Sequence, residues 1–268
     1  MPQGNAENKK YLLSIEASGK EASVCLTQGR RFAAQYFQNS GLTHSATLMK
    51  MAADILENNA LSTGDLEAVA VSNGPGSFTG LRIGLASAKG LCFAENLPLY
   101  TVSSLEAMAY SLTGFAEDDE RTDGEKSPFD GLILAPCIDA LRADIYGAVF
   151  AVECGKPVRL REDEAQSAAE FARTLSEIGK PCAIFGDGAD KVRACLAGLN
   201  SELPQLRMPQ NMRCRTAFGV AAAVFGKEPQ PAAKAEAVYL RKPQAERVRE
   251  AELREKRENG ASSAENAD

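Results

Sequence analysis

The sequence predicts an α/β protein in which one β-β-β-α-β-α unit occurs twice, giving two lobes. In the first half, three β-like runs precede a helix, a strand and a second helix. The same order of elements recurs about 120 residues later, without matching residue identity. Two such units in tandem are the plan of the actin-like, or ribonuclease-H-like, fold. A doubly wound Rossmann protein would instead alternate strand and helix from the start.

Periodicity and turn residues define each element. In the first unit we predict strands that begin at Tyr11, Ala22 and Arg31, a helix over 45–59, a strand over 66–73, a helix over 78–96 and a strand over 99–102. In the second unit we predict strands from Leu132 and Asp144, a short run around Val158, a helix over 167–178, a strand over 182–186 and a helix over 189–196. A further helix is predicted over 216–225.

Shifts in composition suggest the limits of these units. We expect a first lobe over 1–112, a polar loop over 113–130 and a second lobe over 131–214. Residues 215–245 are expected to form a helix and a strand that pack back on the body. Residues 246–268 are rich in charge and poor in apolar residues, which predicts a disordered tail.

Bulk composition narrows the class of protein. Hydrophobic residues make up 44% of the chain and charged residues 25%, as in folded soluble proteins. No apolar run reaches the roughly 18 to 20 residues that span a bilayer, and the polar start lacks the pattern of an export signal, so we expect a cytoplasmic protein. Seven scattered cysteines without a CxxC pair argue against a disulfide framework and a zinc knuckle. The net charge of −6 argues against tight nucleic-acid binding by this chain alone.

A glycine-rich turn is the strongest local feature. It joins a predicted strand to a predicted helix and consists of Gly74, Pro75, Gly76, Ser77, Phe78, Thr79 and Gly80, with Arg82 soon after. Free N–H groups at such a turn can bind phosphate. The spacing matches neither GxxxxGK[ST] nor GxGxxG, and Lys89 lies well inside the helix. A tight turn is therefore the main interpretation, and a vestigial phosphate loop is the alternative.

The helix that follows this turn is rich in small residues. Gly84 and Gly90 lie in its interior, where each glycine costs about 1 kcal/mol relative to alanine. Close packing within the chain is one explanation. The other is that this helix and the preceding one, which carries Met49 and Met51, form a docking surface, because methionine adapts to partner surfaces.

Few residues fit a catalytic site. His44 is the only histidine, which excludes paired-histidine metal sites and favours a capping or surface role before a helix. Glu16 ends the first strand, where actin-like ATPases hold metal-bound phosphate, although it also fits a solvated strand end. We therefore predict no catalytic residue and no metal site. A nucleotide in the inter-lobe cleft, or at a partner interface, is a minor alternative.

Several stretches resemble the TsaB (YeaZ) family. The most specific is GPGSFTGLRIGLASAKGL, which is preceded by LEAVAVSN and followed by PLYTVSSLEAMA. The opening YLLSIEAS and the later IDALRADIYGAVF, FGDGAD and VYLRKPQAE also resemble the family, in the right order. The resemblance covers residues 11–246.

The resemblance implies a cytosolic, noncatalytic subunit that is required to make N6-threonylcarbamoyladenosine in tRNAs reading codons that start with A. Family members pair with the paralogous TsaD, which performs the transfer, and act with the ATPase TsaE. They reach tRNA through that complex and form homodimers when the partner is absent. The pairing uses two helices, here 45–59 and 78–96. The implied interface residues are His44, Leu48, Met49, Met51, Ala52, Ile55, Ile83, Ser87, Gly90, Leu91 and Ala94.

Some residues depart from the family pattern and bear on the alternatives. Glu16 stands where the family usually has aspartate, and Leu141 stands where it commonly has arginine. The charged residues after Glu246 are atypical. The stretch over 103–107 lacks the His-x-x-x-His motif of TsaD, which disfavours an M22-type glycoprotease. An ATP-binding actin-like kinase or chaperone is the main alternative function.

Overall fold

The computed structural model describes residues 10–115, 127–199 and 203–241. Part of the predicted loop over 113–130, and all of the predicted tail over 246–268, lie outside the described residues. Within the described ranges, no helix is long and apolar enough to cross a membrane.

The first lobe is built on a five-stranded sheet. Its strands are β1 (Tyr11–Glu16), β2 (Ala22–Gln28), β3 (Arg31–Gln38), β4 (Leu66–Gly74) and β5 (Leu99–Ser103), and its helices are α1 (His44–Asn58), α2 (Phe78–Glu95) and α3 (Ser104–Thr113). The sheet order is β3-β2-β1-β4-β5. The first three strands are antiparallel, while β4 and β5 run parallel to β1.

The second lobe repeats this plan. Its strands are β6 (Ile133–Asp139), β7 (Asp144–Glu153), β8 (Lys156–Ser167), β9 (Cys182–Phe185) and β10 (Gln205–Leu206), and its helices are α4 (Ala168–Ile178) and α5 (Ala189–Gly198). Their order, β8-β7-β6-β9-β10, is the order of the first sheet in equivalent strands, with the same parallel and antiparallel pairs. The duplicated actin-like fold is confirmed.

The central strand β1 is buried on both faces, because helices cover both sides of the first sheet. Leu13 and Ile15 belong to the core under α1 and α2. Leu12 faces the opposite core, which includes α6 (Ala217–Ala223). The helix α3 packs against α6 and also against the second sheet, where Leu105 and Met108 join Phe150 in one apolar cluster. The two lobes are therefore joined through α3.

Four elements differ from the sequence prediction, and one of them is the two-residue strand β10, which was not predicted. The helix α3 was not predicted, although the Ser103 hydroxyl caps it by accepting the Glu106 N–H. The strand β8 has 12 residues rather than a short run, because its charged side chains lie on an exposed edge. The strand expected within 215–245 is absent from the described residues. The chain there makes isolated contacts instead of a ladder: Gln230 forms a single antiparallel bridge with Leu99 of the edge strand β5, and the Val238 N–H donates to the Asn73 carbonyl at the end of β4.

Candidate functional site

The glycine-rich turn packs backbone against backbone. Gly74 has φ 127°, and a Cβ there would lie 2.3 Å from the Val238 carbonyl oxygen. A Cβ on Gly76 would lie 2.4 Å from the Ser18 oxygen, and one on Gly80 would lie 2.1 Å from the Ala17 oxygen. No Cβ fits at such distances without a backbone shift. Gly76 and Gly80 thus allow the turn to pack on the β1–β2 connection, and Gly74 allows it to pack on the C-terminal segment at Val238.

Hydrogen bonds hold the start of α2 in the same place. The Ser77 N–H donates to the Ser18 carbonyl oxygen at 2.8 Å, and the Ser77 hydroxyl accepts the Gly80 N–H at 3.2 Å. Pro75 is buried, and Thr79 is exposed. Carbonyl oxygens, rather than free N–H donors, therefore face the turn from the β1 side. These contacts support the tight-turn interpretation over the phosphate loop.

Aromatic and cationic side chains cover the outer side of this turn. The ring of Phe78 lies 5.1 Å from that of Tyr239, and the Arg82 guanidinium lies 3.8 Å above the Phe78 ring. The Arg82 Nε–H also donates to the Tyr239 hydroxyl at 3.3 Å. Sequence reasoning singled out Phe78 and Arg82 but missed Tyr239, because their separation along the chain hides the contact.

Glu16 is completely buried, so its interpretation as a solvated strand end is wrong. One carboxylate oxygen accepts the Ser18 N–H at 2.6 Å. Burial raises the pKa of this carboxyl, while hydrogen bonds from Ser18 and the positive charge of Arg215 partly offset that rise. Glu16 is thus bound to its own turn and faces an internal cation.

Arg215 links this turn to the second lobe. It is only 5% exposed, and its Nη1–H donates to the Ser18 carbonyl oxygen at 2.8 Å. Its Nη2–H donates to Asp187 Oδ2 at 2.6 Å. A Cβ on Gly19 would lie 2.9 Å from the Arg215 guanidinium, which therefore rests directly on the turn.

The residues present do not fit the metal-bound phosphate of an actin-like ATPase. The acidic group that would hold the metal is Glu16, which lies beneath the turn and binds its own backbone. The guanidinium of Arg215 already lies against Ser18 and Gly19. In the described ranges, no group of three or more histidine, cysteine, aspartate or glutamate residues could hold a metal ion.

A cleft of about 420 Å³ lies between the lobes. Its walls include Lys20, the glycine-rich turn and the β6–β7 turn. In the β6–β7 turn, Leu141 and Arg142 have φ 69° and 56°, which is uncommon for residues other than glycine. The Leu141 N–H donates to Asp139, and the Lys191 ammonium donates to both Asp139 and the Arg142 carbonyl, which holds this conformation.

The structure divides the predicted interface residues into two groups. Leu48, Met51, Ala52 and Ile55 are buried in the chain's own core. These four side chains add no exposed surface to α1 in this structure, because the face on which they lie packs against the sheet and α2. The remaining residues are exposed or half-buried: His44, Met49, Ile83, Ser87, Gly90, Leu91 and Ala94.

The exposed part of this surface has one residue that the sequence prediction missed. Phe93 on α2 is 68% exposed, and Met49 on α1 is 44% exposed. Phe93 lies three residues after Gly90 and so shares the exposed face of Ala86, Gly90 and Ala94. That spacing was the available signal. His44 lies at the end of this surface, and its Nε2 lies 2.9 Å from the Glu21 carbonyl oxygen.

Comparison of the sequence with known proteins shows which family the chain belongs to. The family model described as "TsaD: tRNA N6-adenosine threonylcarbamoyltransferase" matches residues 38–181, just over half of the chain. The tRNA threonylcarbamoyladenosine biosynthesis protein TsaB of Bacillus subtilis is 29% identical over 175 residues, which is 65% of this chain and 70% of that protein. The protein of the same name in Escherichia coli is 37% identical over 98 residues, which is 37% of this chain and 42% of that protein.

A solved structure supports the fold. YeaZ from Pseudomonas aeruginosa superposes with a TM-score of 0.64 at 23% identity, covering 86% of this chain and 100% of that chain. This likeness concerns the fold alone, whereas the sequence matches carry the family. The chain belongs to the TsaB (YeaZ) family, within the larger group that the TsaD family model describes.

Proposed function

We propose that this protein is a noncatalytic subunit of a cytoplasmic complex that transfers a threonylcarbamoyl group to N6 of adenosine in tRNA. It would dock on a TsaD-type catalytic subunit, act with TsaE as scaffold and activator, and self-associate in the absence of its partner. The names of its relatives, tRNA threonylcarbamoyladenosine biosynthesis proteins, support the pathway. The net charge of −6 is consistent with contact to tRNA through the complex rather than alone.

The exposed face of α2 carries this proposal. A Cβ on Gly90 would meet nothing within 4 Å, so the chain's own packing does not require glycine there. Glycine in a helix interior costs about 1 kcal/mol, yet this one lies beside the exposed ring of Phe93. Because glycine has no side chain, another protein's helix can approach the backbone of α2 closely at Gly90 and contact the ring of Phe93.

Burial of this face would stabilise a complex substantially. Full burial of an exposed side chain of this size is worth about 1.5 to 3 kcal/mol, and Phe93, at 68% exposed, would contribute more of that range than Met49, at 44% exposed. Gly84, on the opposite face, behaves differently, since its Cβ would lie 3.2 Å from the Ala17 side chain. Packing within the chain therefore explains Gly84, and docking explains Gly90.

The ATP-binding alternative receives less support. The fold and the glycine-rich turn are the two features that favour ATP binding. The turn, however, packs on the backbone of Ala17 and Ser18. Calorimetric titration with ATP and Mg²⁺ tests it directly. Heat of binding at micromolar affinity would favour a kinase or chaperone over a scaffold.

Association is tested by mixing the protein with TsaD and weighing the product by light scattering. We expect a heterodimer at micromolar concentration, and a homodimer that dissociates as TsaD is added. Separate, non-interacting species at that concentration would contradict the proposed docking.

The pathway is tested by nucleoside analysis of tRNA after depletion of this protein in cells. We expect loss of N6-threonylcarbamoyladenosine and recovery when the gene is supplied again. Unchanged levels of the modified nucleoside would refute the role in tRNA modification, whatever the result of the association test.

A further inference from the structure

Two arginines from the C-terminal part of the chain, Arg215 and Arg241, line the inter-lobe cleft. Arg215 lies two residues before the start of α6, which packs on the first sheet. Arg241 follows Tyr239, which is anchored to α2 through Phe78 and Arg82. Both arginines therefore belong to the body of the first lobe by their attachment, although they come after the second lobe in sequence.

Each arginine reaches an acidic residue of the second lobe. Arg215 donates to Asp187, which follows β9, and at the same time to the Ser18 carbonyl oxygen of the first lobe. Arg241 donates to the Asp144 carboxylate at the start of β7, and its Nη1–H donates to the Ala140 carbonyl oxygen at 3.1 Å. Asp187 also accepts the Asp139 N–H at 2.8 Å, which ties it to the β6–β7 turn.

A second set of contacts lies between α3 and β8. The Ser103 hydroxyl donates to Asp163. The Arg159 guanidinium pairs with Asp163 at 2.5 Å and with Glu106 at 3.8 Å. Because α3 is also packed into the apolar cluster of the second sheet, it is the natural pivot for any opening of the lobes.

We propose that Arg215 and Arg241 clasp the two lobes across the cleft, so that the lobes do not open about α3 to admit a ligand. Two-lobed proteins close around their ligands by hinge motion, which requires that the cleft side be free to move. Here the ion pairs of the two arginines join the lobes on the cleft side, and the packing of α3 joins them on the other side. The protein is in consequence one rigid body.

The clasp is independent of the proposed function. It concerns the motion of the lobes, whereas the docking proposal concerns the outer face of α1 and α2. Loss of TsaD binding would leave the clasp standing, and an opening cleft would leave the docking face standing.

The test is a distance measurement between the lobes by pulsed electron paramagnetic resonance. Nitroxides are attached through a genetically encoded ketone side chain at Ala46 on α1 and Glu177 on α4, both exposed, which avoids the native cysteines. For the unsubstituted clasp we expect one narrow distance distribution that does not change when Mg²⁺ and ATP are added. A broad distribution, or a shift on addition of Mg²⁺ and ATP, would overturn the proposal.

The variant that breaks the clasp is Asp187→Asn combined with Arg241→Ala. Asparagine keeps the oxygen that accepts the Asp139 N–H and replaces the charged oxygen that Arg215 binds with an NH2 group, which cannot accept a hydrogen bond. Arg215 itself stays in place, because its loss would leave the buried Glu16 without its facing cation. We expect a wider distribution with an added population at longer distance.

Asp190→Asn is the matched control. Asp190 lies three residues from Asp187, but its carboxylate pairs with Arg193 at 2.8 Å and more distantly with Arg213 at 3.9 Å, not with either arginine of the clasp. We expect its distance distribution to coincide with that of the unsubstituted chain. If the double variant also coincides with it, the arginines do not hold the lobes and the proposal fails. If the double variant does not fold, the Asp187→Asn single variant is judged by the same two outcomes.

Discussion

The two lobes share one strand order but differ in what their outer helices leave exposed. On α4 of the second lobe, the exposed side chains include Glu170, Arg173 and Glu177. On α2 of the first lobe, the exposed face carries Phe93 beside Gly90. A charged helix surface is adapted to water, whereas an exposed aromatic ring beside a glycine is not. The two sheets thus keep the same strand order, while the helices outside them expose different chemistry, and the docking proposal uses the face of α2.

The lobes also resemble each other in one local device. Each sheet has a glycine with positive φ directly at or after the end of its fourth strand, Gly74 at φ 127° and Gly186 at φ 103°. A Cβ on Gly186 would lie 2.1 Å from the Cys137 carbonyl oxygen. The second lobe continues this arrangement with Gly188, whose Cβ would lie 3.0 Å from the Ile138 carbonyl carbon, whereas the first lobe continues it with Gly76 and Gly80, whose Cβ atoms would lie 2.4 Å and 2.1 Å from backbone oxygens.

The largest expected effect is on stability, from Gly80→Ala in the first lobe. The added Cβ would lie 2.1 Å from the Ala17 carbonyl oxygen, and backbone must move to accept it. We expect a loss of about 3 kcal/mol in the free energy of unfolding, measured in urea. Gly198→Ala at the end of α5 is the control, since nothing lies within 4 Å of its Cβ. Equal stability of the two variants would contradict the packing role of the turn.

The next effect concerns association, from Phe93→Asp. If Phe93 is a central contact, its loss should weaken binding to TsaD by about 2 kcal/mol or more, roughly thirtyfold, in a titration. The free chain should keep its stability because the ring is exposed. Arg173→Asp on α4 introduces the same residue on the other lobe and should bind like the unsubstituted chain. Undiminished binding by Phe93→Asp would remove the main support for this docking face.

A smaller effect distinguishes the starts of the equivalent helices α1 and α4. The Ser167 hydroxyl accepts the Glu170 N–H, and the Glu170 carboxylate accepts the Ser167 N–H, whereas the Thr43 hydroxyl accepts no backbone N–H at the start of α1. We expect Ser167→Ala to cost about 1 kcal/mol in thermal or urea unfolding. Thr43→Ala should cost less than about 0.5 kcal/mol. A reversed order of these two losses would show that the cap of α4 is not used.

The smallest effect is a gain, from Gly90→Ala. Alanine there meets nothing within 4 Å, so the free chain should become about 0.5 kcal/mol more stable through reduced backbone entropy of the unfolded state. The same methyl group should weaken binding to TsaD if another helix approaches closely. Gly84→Ala should show no gain, because its Cβ would press on Ala17 at 3.2 Å. A loss of stability in Gly90→Ala would mean that the chain itself needs this glycine.

The sequence by itself determined the order of most elements and favoured the tight-turn interpretation of the glycine-rich turn. Apolar periodicity and turn residues are local signals, so β1, α1, β4 and α2 were predicted close to their observed bounds. The missing phosphate-loop spacing already favoured a tight turn. The sequence also carries a local signal for α3, namely the capping serine Ser103 followed three residues later by Glu106.

Only the tertiary structure decided which faces are buried and which distant residues meet. Periodicity shows that α1 has an apolar face but not whether a sheet or a partner covers it, and the sheet covers Leu48 and Ile55. Glu16 ends a strand, which allowed an exposed position, but its side chain is buried because segments from later in the chain cover it. Arg215 and Ser18 are 197 positions apart, and no local pattern marks such a pair. Burial and ion pairing depend on how separate segments come together, which is why the clasp could be recognised only in the folded chain.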